Sequence, residues 1–356
     1  MDTFLARSAS VKQDQVPFLE YPSSKRDDFD RRQCLIYVIP GNPGLIAYYE
    51  PFMKTLRDLL DEVEAKEDCR RAFHIYGCNL LGFEDRDHDP TFGCTSAAGV
   101  TTEPFTLENQ IRCCCERVQE ANNSLLGKGR VFDEVVLIGH SVGAYISLEI
   151  FNRHHHQSRR EQPSNPWANV NLKAGILLFP TVSHIAQSSS GQKLDLIRRT
   201  PFLDGAAHRI AKAFVNLWPH WLLATVLRRC MGFPAHAAAA TLRFLTSRDG
   251  IWQALHMGKD EMKTITEERW SEEMWEIQEA EGDDRLAAKF YFYFAQKDHW
   301  VADECRDEFI EKRRQHEKGR ARIVIDEEKI PHAFCIHHSE SVAEKVTLWI
   351  QDITGL

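Results

Sequence analysis

The chain of 356 residues contains no run of eighteen or more apolar residues, which excludes an ordinary transmembrane helix. Its opening stretch, MDTFLARSAS, carries no apolar h-region, so no secretory signal is expected. Positive charge is in deficit. Lys and Arg number 44 against 52 Asp and Glu, a net charge of −8. That balance lacks the basic footprint of a nucleic-acid-binding chain. Ten cysteines are present, Cys113, Cys114 and Cys115 in succession, but no CxxC and no pairing pattern. This reads as reduced thiols in a cytosolic compartment. There is no GxGxxG and no internal repeat. His154, His155 and His156 are consecutive, so they diverge around a helix or strand, and no nearby acid or cysteine completes a metal site. Neither a metal nor an organic cofactor is expected.

What remains is the composition of a folded soluble chain, 43% hydrophobic and 27% charged. Its length suits one large domain or two small ones, with a core that needs no disulfide or metal staple. Residues 1–30 are polar and read as a flexible segment. From there strands and helices alternate. CLIYVI (34–39) is a buried strand ending in Pro40-Gly41-Asn42-Pro43-Gly44, and a helix follows from about 49 to 66. A strand at 73–78 and a long loop at 81–104 come next. Thr106 caps a helix running to about 126. The strand EVVLI (134–138) leads directly into Gly139-His140-Ser141-Val142-Gly143 and a helix to about Phe151. A polar loop (154–165) and a strand (174–179) follow. Residues 181–284 break the rhythm with a helical pattern, then FYFYF (290–294) returns to strand. A charged helix (302–318), a strand (322–325) and a last helix (341–350) close the chain. This order predicts an α/β fold with a mostly parallel sheet and a helical cap inserted at 181–284 within a body of 31–356.

The pentapeptide at 139–143 is G-x-S-x-G. On a sharp strand-to-helix turn it exposes a nucleophilic serine, Ser141, with Gly139 and Gly143 allowing close backbone approach. The amide of Val142 at the helix N-terminus faces a developing oxyanion. The loop after the first clear strand supplies a second amide, and Asn42 is the choice because Pro43 has none. The acid and base follow late strands, in the order Ser, Asp, His. Asp298 is the first carboxylate after FYFYF; Asp303 and Glu304 are rivals that suit the first turn of the next helix. His332 follows the strand 322–325 and is the candidate general base, with His337 and His338 as neighbours near the final helix.

Several segments together resemble the lipid-droplet-associated serine hydrolase family. They are Pro40-Gly41-Asn42-Pro43-Gly44, Tyr48-Tyr49, Pro51-Phe52, Gly139-His140-Ser141-Val142-Gly143-Ala144-Tyr145 and His332-Ala333-Phe334. The resemblance covers about Leu35 to Trp349. It implies an α/β-hydrolase fold, with helices on both faces of the sheet. It implies hydrolysis of lipid esters, with sterol esters and acylglycerols as candidate substrates. It also implies residence on lipid droplets and the endoplasmic reticulum, facing the cytosol. Ser141, Asp298 and His332 fall on the family's triad positions. Asp298-His299-Trp300 fits the family pattern, and the residues after Trp300 depart from it.

Ala213–Leu227 (AFVNLWPHWLLATVL) contains no acid, lysine or arginine, and Lys212 and Arg228-Arg229 flank it. As a helix it would span about 22 Å, short of a hydrocarbon core of about 30 Å. Pro219 would kink it. Trp218 and Trp221 suit a membrane interface. Two readings stay open: a monotopic membrane contact, or a cap helix packed over the site. The expected function is a serine esterase or lipase. A droplet-surface scaffold with little or no turnover, and a thioesterase on the same fold, are the alternatives.

Overall fold

The computed structural model describes residues 17–86, 88–96, 99–158, 167–200, 203–267, 270, 288–315 and 321–356. Its apolar runs become one seven-stranded sheet: β1 (Phe18–Tyr21), β2 (Arg32–Ile39), β3 (Arg71–Cys78), β4 (Glu134–His140), β5 (Leu172–Leu178), β6 (Lys289–Phe294) and β7 (Ala321–Ile325). The order across the sheet is β1-β3-β2-β4-β5-β6-β7. β1 alone runs antiparallel, pairing with β3 from Phe18 against Cys78. The remaining pairs are parallel. β4 is buried along its whole length, and β2 along all but its first residue. Parallel strands covered on both faces have no polar side to alternate with, so they read as unbroken apolar runs.

The covering helices are α1 (Glu50–Glu64), α2 (Leu107–Ser124), α3 (Val142–Ser158), α9 (Asp303–Gln315) and α11 (Ser339–Thr354), with a short α10 (Phe334–His337). α1 packs on α11, and α2 on α3. Thr106 caps α2 as expected: its hydroxyl accepts from the Asn109 amide, and the Asn109 side chain accepts from the Thr106 amide.

Between β5 and β6 lie α4 (Ser189–Arg199), α5 (Leu203–Asn216), α6 (His220–Thr225), a π-helical turn (Val226–Cys230), α7 (Ala235–Thr246) and α8 (Gly250–Thr264). Residues 201–202, 268–269 and 271–284 of the expected insertion lie outside the described residues.

Two expectations need correction. The segment 1–30 is not irregular throughout, because Phe18–Tyr21 adds an edge strand. Four residues are too few for a period-2 pattern to show, and pairing with β3 decides the conformation. Residues 1–16 lie outside the described residues. The loop placed at 154–165 begins later, since α3 continues through the three histidines to Ser158. Basic side chains suit the C-terminal end of a helix dipole. His154 packs edge-on against Trp167 and bonds through Nε2 to the Val170 carbonyl.

Candidate active site

Because β2, β4, β5 and β6 are parallel, their C-terminal ends lie on one edge of the sheet, and the loops leaving β2, β4 and β6 meet there. Ser141 sits between β4 and α3 with φ at 55°. That left-handed conformation costs an L-residue about 1–2 kcal/mol, and packing around the turn enforces it. A Cβ on Gly139 would lie 2.3 Å from the Gly143 carbonyl oxygen. A Cβ on Gly143 would lie 2.3 Å from the Ile39 carbonyl oxygen. Only glycine fits at either position. The Ser141 amide donates to the Leu178 carbonyl at 3.0 Å, which pins the turn to β5.

The structure brings Ser141, Asp298 and His332 together across 191 residues of sequence. His332 Nδ1 and Asp298 Oδ2 are 2.6 Å apart, and His332 Nε2 and Ser141 Oγ 2.9 Å. An ionised carboxylate only accepts, so Nδ1 carries the proton and Nε2 is left to accept from the serine hydroxyl. The second oxygen of Asp298 accepts from the Trp300 amide at 2.8 Å. Burial alone would raise the Asp298 carboxyl. The hydrogen bond and charge of His332, with the Trp300 amide, overrule it and hold it below its ordinary value. The rivals lie elsewhere. Asp303 and Glu304 are exposed in the first turn of α9, where Asp303 pairs with Arg306 at 3.0 Å. His337 is exposed at the end of α10, and His338 precedes α11.

Gly41 stands against Ser141: a Cβ there would lie 2.9 Å from the Ser141 Cβ. The next residue, Asn42, is held from the far side. Its side-chain amide donates to the Ala254 carbonyl and to Glu261 Oε1, each at 3.1 Å. Both are on α8. The Asn42 side chain is therefore engaged, and its backbone amide has no acceptor among the described residues. The Val142 amide, at the first position of α3, has none either. Glu261 is a buried acid. Burial pushes its carboxyl up to about 8, with the Asn42 bond offsetting only part of the rise.

Sequence reasoning did not find Glu261, and nothing in its surroundings marks it. Nor did it find Asp326, directly after β7, which accepts from Tyr293 Oη at 2.5 Å and from the Ile330 amide at 2.6 Å. Those bonds set the loop that carries His332. An acid at a strand end, a few residues before His332, was the available signal.

The inserted helices attach to this edge at further points. The Ser190 amide at the start of α4 donates to the His299 carbonyl at 2.9 Å. On α7, the Thr241 hydroxyl meets the Tyr48 hydroxyl at 2.8 Å. Trp218 and Trp221 make none of these attachments. α5 ends at Asn216, Pro219 caps α6, and the two pieces Gly205–Asn216 and His220–Cys230 meet at a 94° bend. Among the described residues no single helix is long and apolar enough to cross a membrane, but this bent pair is by length and composition. Leu217 (79% exposed) and Trp221 (68% exposed) head an uncovered apolar face that includes Ile210, Phe214 and Trp218.

A family model described as lipid-droplet associated hydrolase matches residues 32–335. Similar proteins named lipid droplet-associated hydrolase occur in Mus musculus and Dictyostelium discoideum. The mouse protein is 24% identical over 340 residues, covering 92% of this chain and 88% of its own. The Dictyostelium protein is 22% identical over 315 residues, covering 88% and 86%. Among solved structures, a haloalkane dehalogenase from Bradyrhizobium elkani aligns with a TM-score of 0.57 at 11% identity, covering 97% of both chains. A peroxisomal α/β-hydrolase from Saccharomyces cerevisiae aligns with a TM-score of 0.55 at 12% identity, covering 95% of this chain and 81% of that one. These likenesses and the sheet described above show an α/β-hydrolase fold.

Proposed function

The chain belongs to the lipid-droplet associated hydrolase family, and from that premise we propose that it is a serine ester hydrolase acting on lipid esters at the lipid-droplet and endoplasmic reticulum surface. The observation that carries the reading is the unbroken hydrogen-bonded path from Ser141 Oγ through His332 to Asp298. Sterol esters and acylglycerols are the substrate class.

In this reading Ser141 Oγ attacks the ester carbonyl carbon while His332 Nε2 takes the hydroxyl proton. The carbonyl π electrons move to oxygen, and the amides of Asn42 and Val142 receive the oxyanion. Collapse breaks the bond to the alcohol oxygen, which leaves with the proton from Nε2. Water then attacks the acyl-enzyme, giving its proton to Nε2, and a second collapse releases the acid and restores Ser141. Asp298 keeps the imidazole in the Nδ1–H tautomer and stabilises the imidazolium.

The bent pair α5–α6 supports contact with a lipid surface. A droplet has one phospholipid monolayer and no second aqueous side, so a short, bent apolar element suits it. Trp218 and Trp221 would sit at the headgroup level and Arg228 and Arg229 near anionic lipid.

The test is turnover by the purified chain beside Ser141→Ala, on short p-nitrophenyl esters, emulsified sterol ester, triacylglycerol and acyl thioesters. Serine-dependent ester turnover is expected. Preference for the thioesters would reassign the substrate, and no turnover on any substrate by folded protein would favour the droplet-surface scaffold.

A further inference from the structure

Beside the Ser141–His332–Asp298 path runs a second hydrogen-bonded chain. The Gly41 amide donates to Tyr49 Oη at 2.9 Å. Tyr49 Oη and His140 Nδ1 are 2.6 Å apart. His140 Nε2 lies 2.8 Å from the backbone carbonyl oxygen of His332. Tyr49, His140 and His332 are all buried.

The proton order along this chain is forced. A carbonyl only accepts, so His140 carries its proton on Nε2. Burial, reinforced by the nearby His332, pushes His140 down to about 3, so the ring stays neutral and Nδ1 is bare. A bare Nδ1 only accepts, so Tyr49 donates to it. Burial pushes the Tyr49 phenol up, which keeps that proton in place. The phenol oxygen is then free to receive the Gly41 amide. Every member of the chain has a partner of the right sense.

One end of this chain is the loop against the nucleophile, and the other is the backbone of the base. We propose that Tyr49 and His140 are positioning residues, a strut that sets the spacing between the loop Gly41–Asn42 and His332. By engaging the Gly41 amide, the strut leaves the Asn42 amide as the oxyanion donor of that pair. The assignment rests on the serine-hydrolase reading. The strut links two segments that the sheet alone does not hold in register, the loop after β2 and the loop after β7, through His140 at the end of β4, which the sheet fixes opposite Leu178. The rings are packed as well, with Tyr49 and His140 both edge-on to Phe334.

The test uses the full chain with Tyr49→Phe, which keeps the ring and deletes the hydroxyl, and with His140→Gln, which keeps a donor near Nε2 and loses the Nδ1 acceptor. The measurements are kcat and KM on p-nitrophenyl butyrate, the rate of fluorophosphonate labelling of Ser141, and the thermal midpoint. The expected result is a fall in kcat of about 10- to 100-fold with KM held within about twofold, because a small displacement of donor or base is felt in the transition state. Labelling should slow by a similar factor. Either variant, folded, with kcat and labelling within about threefold of the parent would reduce the strut to a packing role, however far its midpoint drops. In the parent protein, nitrogen-15 shifts of His140 should report a neutral Nε2–H ring from pH 5 to 9. A Nδ1–H tautomer, or titration inside that range, would overturn the proposal without any variant. Turnover that survives Ser141→Ala would instead sink the serine-hydrolase reading.

Discussion

The Ser141 turn and the inserted helices hold the candidate site by different physical means. At the turn, backbone meets backbone: Gly139 against Gly143, Gly143 against Ile39, and Ser141 bonded into the edge of β5. Nothing there yields without moving a strand. The insertion packs Ala237, Ala240 and Met257 into the core, and at the site itself it holds on through a few hydrogen bonds, the Asn42 side chain to Ala254 and Glu261, and the Ser190 amide to the His299 carbonyl. Its far face, with Ile210, Phe214, Leu217, Trp218 and Trp221, is apolar and largely exposed. A close-packed contact specifies position by sterics and changes only at high energy. A hydrogen bond worth about 1 kcal/mol net specifies position yet can be exchanged. The rigid part of the site therefore lies at the sheet, and the adjustable part at its hydrogen bonds to the insertion.

The largest effect tests the sheet side. Asp298→Asn should lower kcat by about 10³- to 10⁴-fold with the fold intact, because asparagine favours the wrong imidazole tautomer. Steady-state kinetics beside a thermal melt would check this, and a loss of less than tenfold would move the acid's role to another residue. Next comes sterics at the turn. Gly143→Ala, with its Cβ on the Ile39 carbonyl, should destabilise the chain by about 1–3 kcal/mol or displace the turn. Urea unfolding measures it, and an unchanged midpoint with normal activity would show that the turn yields.

Glu261 probes the adjustable side through pH. Its carboxyl is raised from an ordinary 4.5 to about 8 by burial. The folded chain therefore keeps a proton that the unfolded chain releases above about 4.5. Stability should fall as pH climbs from about 4.5 to about 8 and level off above that. Glu261→Gln keeps the shape and removes the titration. The stability gap between variant and parent should widen in that window by a few kcal/mol. Denaturant midpoints at pH 5 and pH 8.5 decide it, and parallel curves would mean the carboxyl is ionised when folded.

The smallest effect on the fold belongs to the bare face. Trp221→Ser with Leu217→Ser should change stability by less than about 0.5 kcal/mol per residue, since both are exposed. Partition onto phospholipid-coated oil droplets should weaken roughly tenfold or more per residue, from about 1.5–3 kcal/mol of apolar burial each. Flotation would read it. Unchanged partition would return this face to the role of a cap surface.

Much of this was legible in the chain itself. Apolar runs placed six of the seven strands, and the clearest, ended by glycine or proline at β2, β4 and β5, are parallel strands buried almost throughout because both faces are covered. The G-x-S-x-G turn announces itself because its glycines answer a local steric demand. The short edge strand Phe18–Tyr21 and the extension of α3 to Ser158 did not show, since pairing with β3 decides the one and contacts at a helix end settle the other. The sequence by itself determined the alternation of strands and helices, the nucleophile turn, and the order in which serine, acid and histidine occur. Only the tertiary structure decided which acid meets His332, that Asn42 is gripped by a buried glutamate, and that Tyr49 and His140 link the Gly41 amide to the His332 backbone. The first group depends on contacts between residues a few positions apart, which a linear pattern records. The second depends on groups up to 219 residues apart, whose meeting is a property of the folded sheet and its insertion alone.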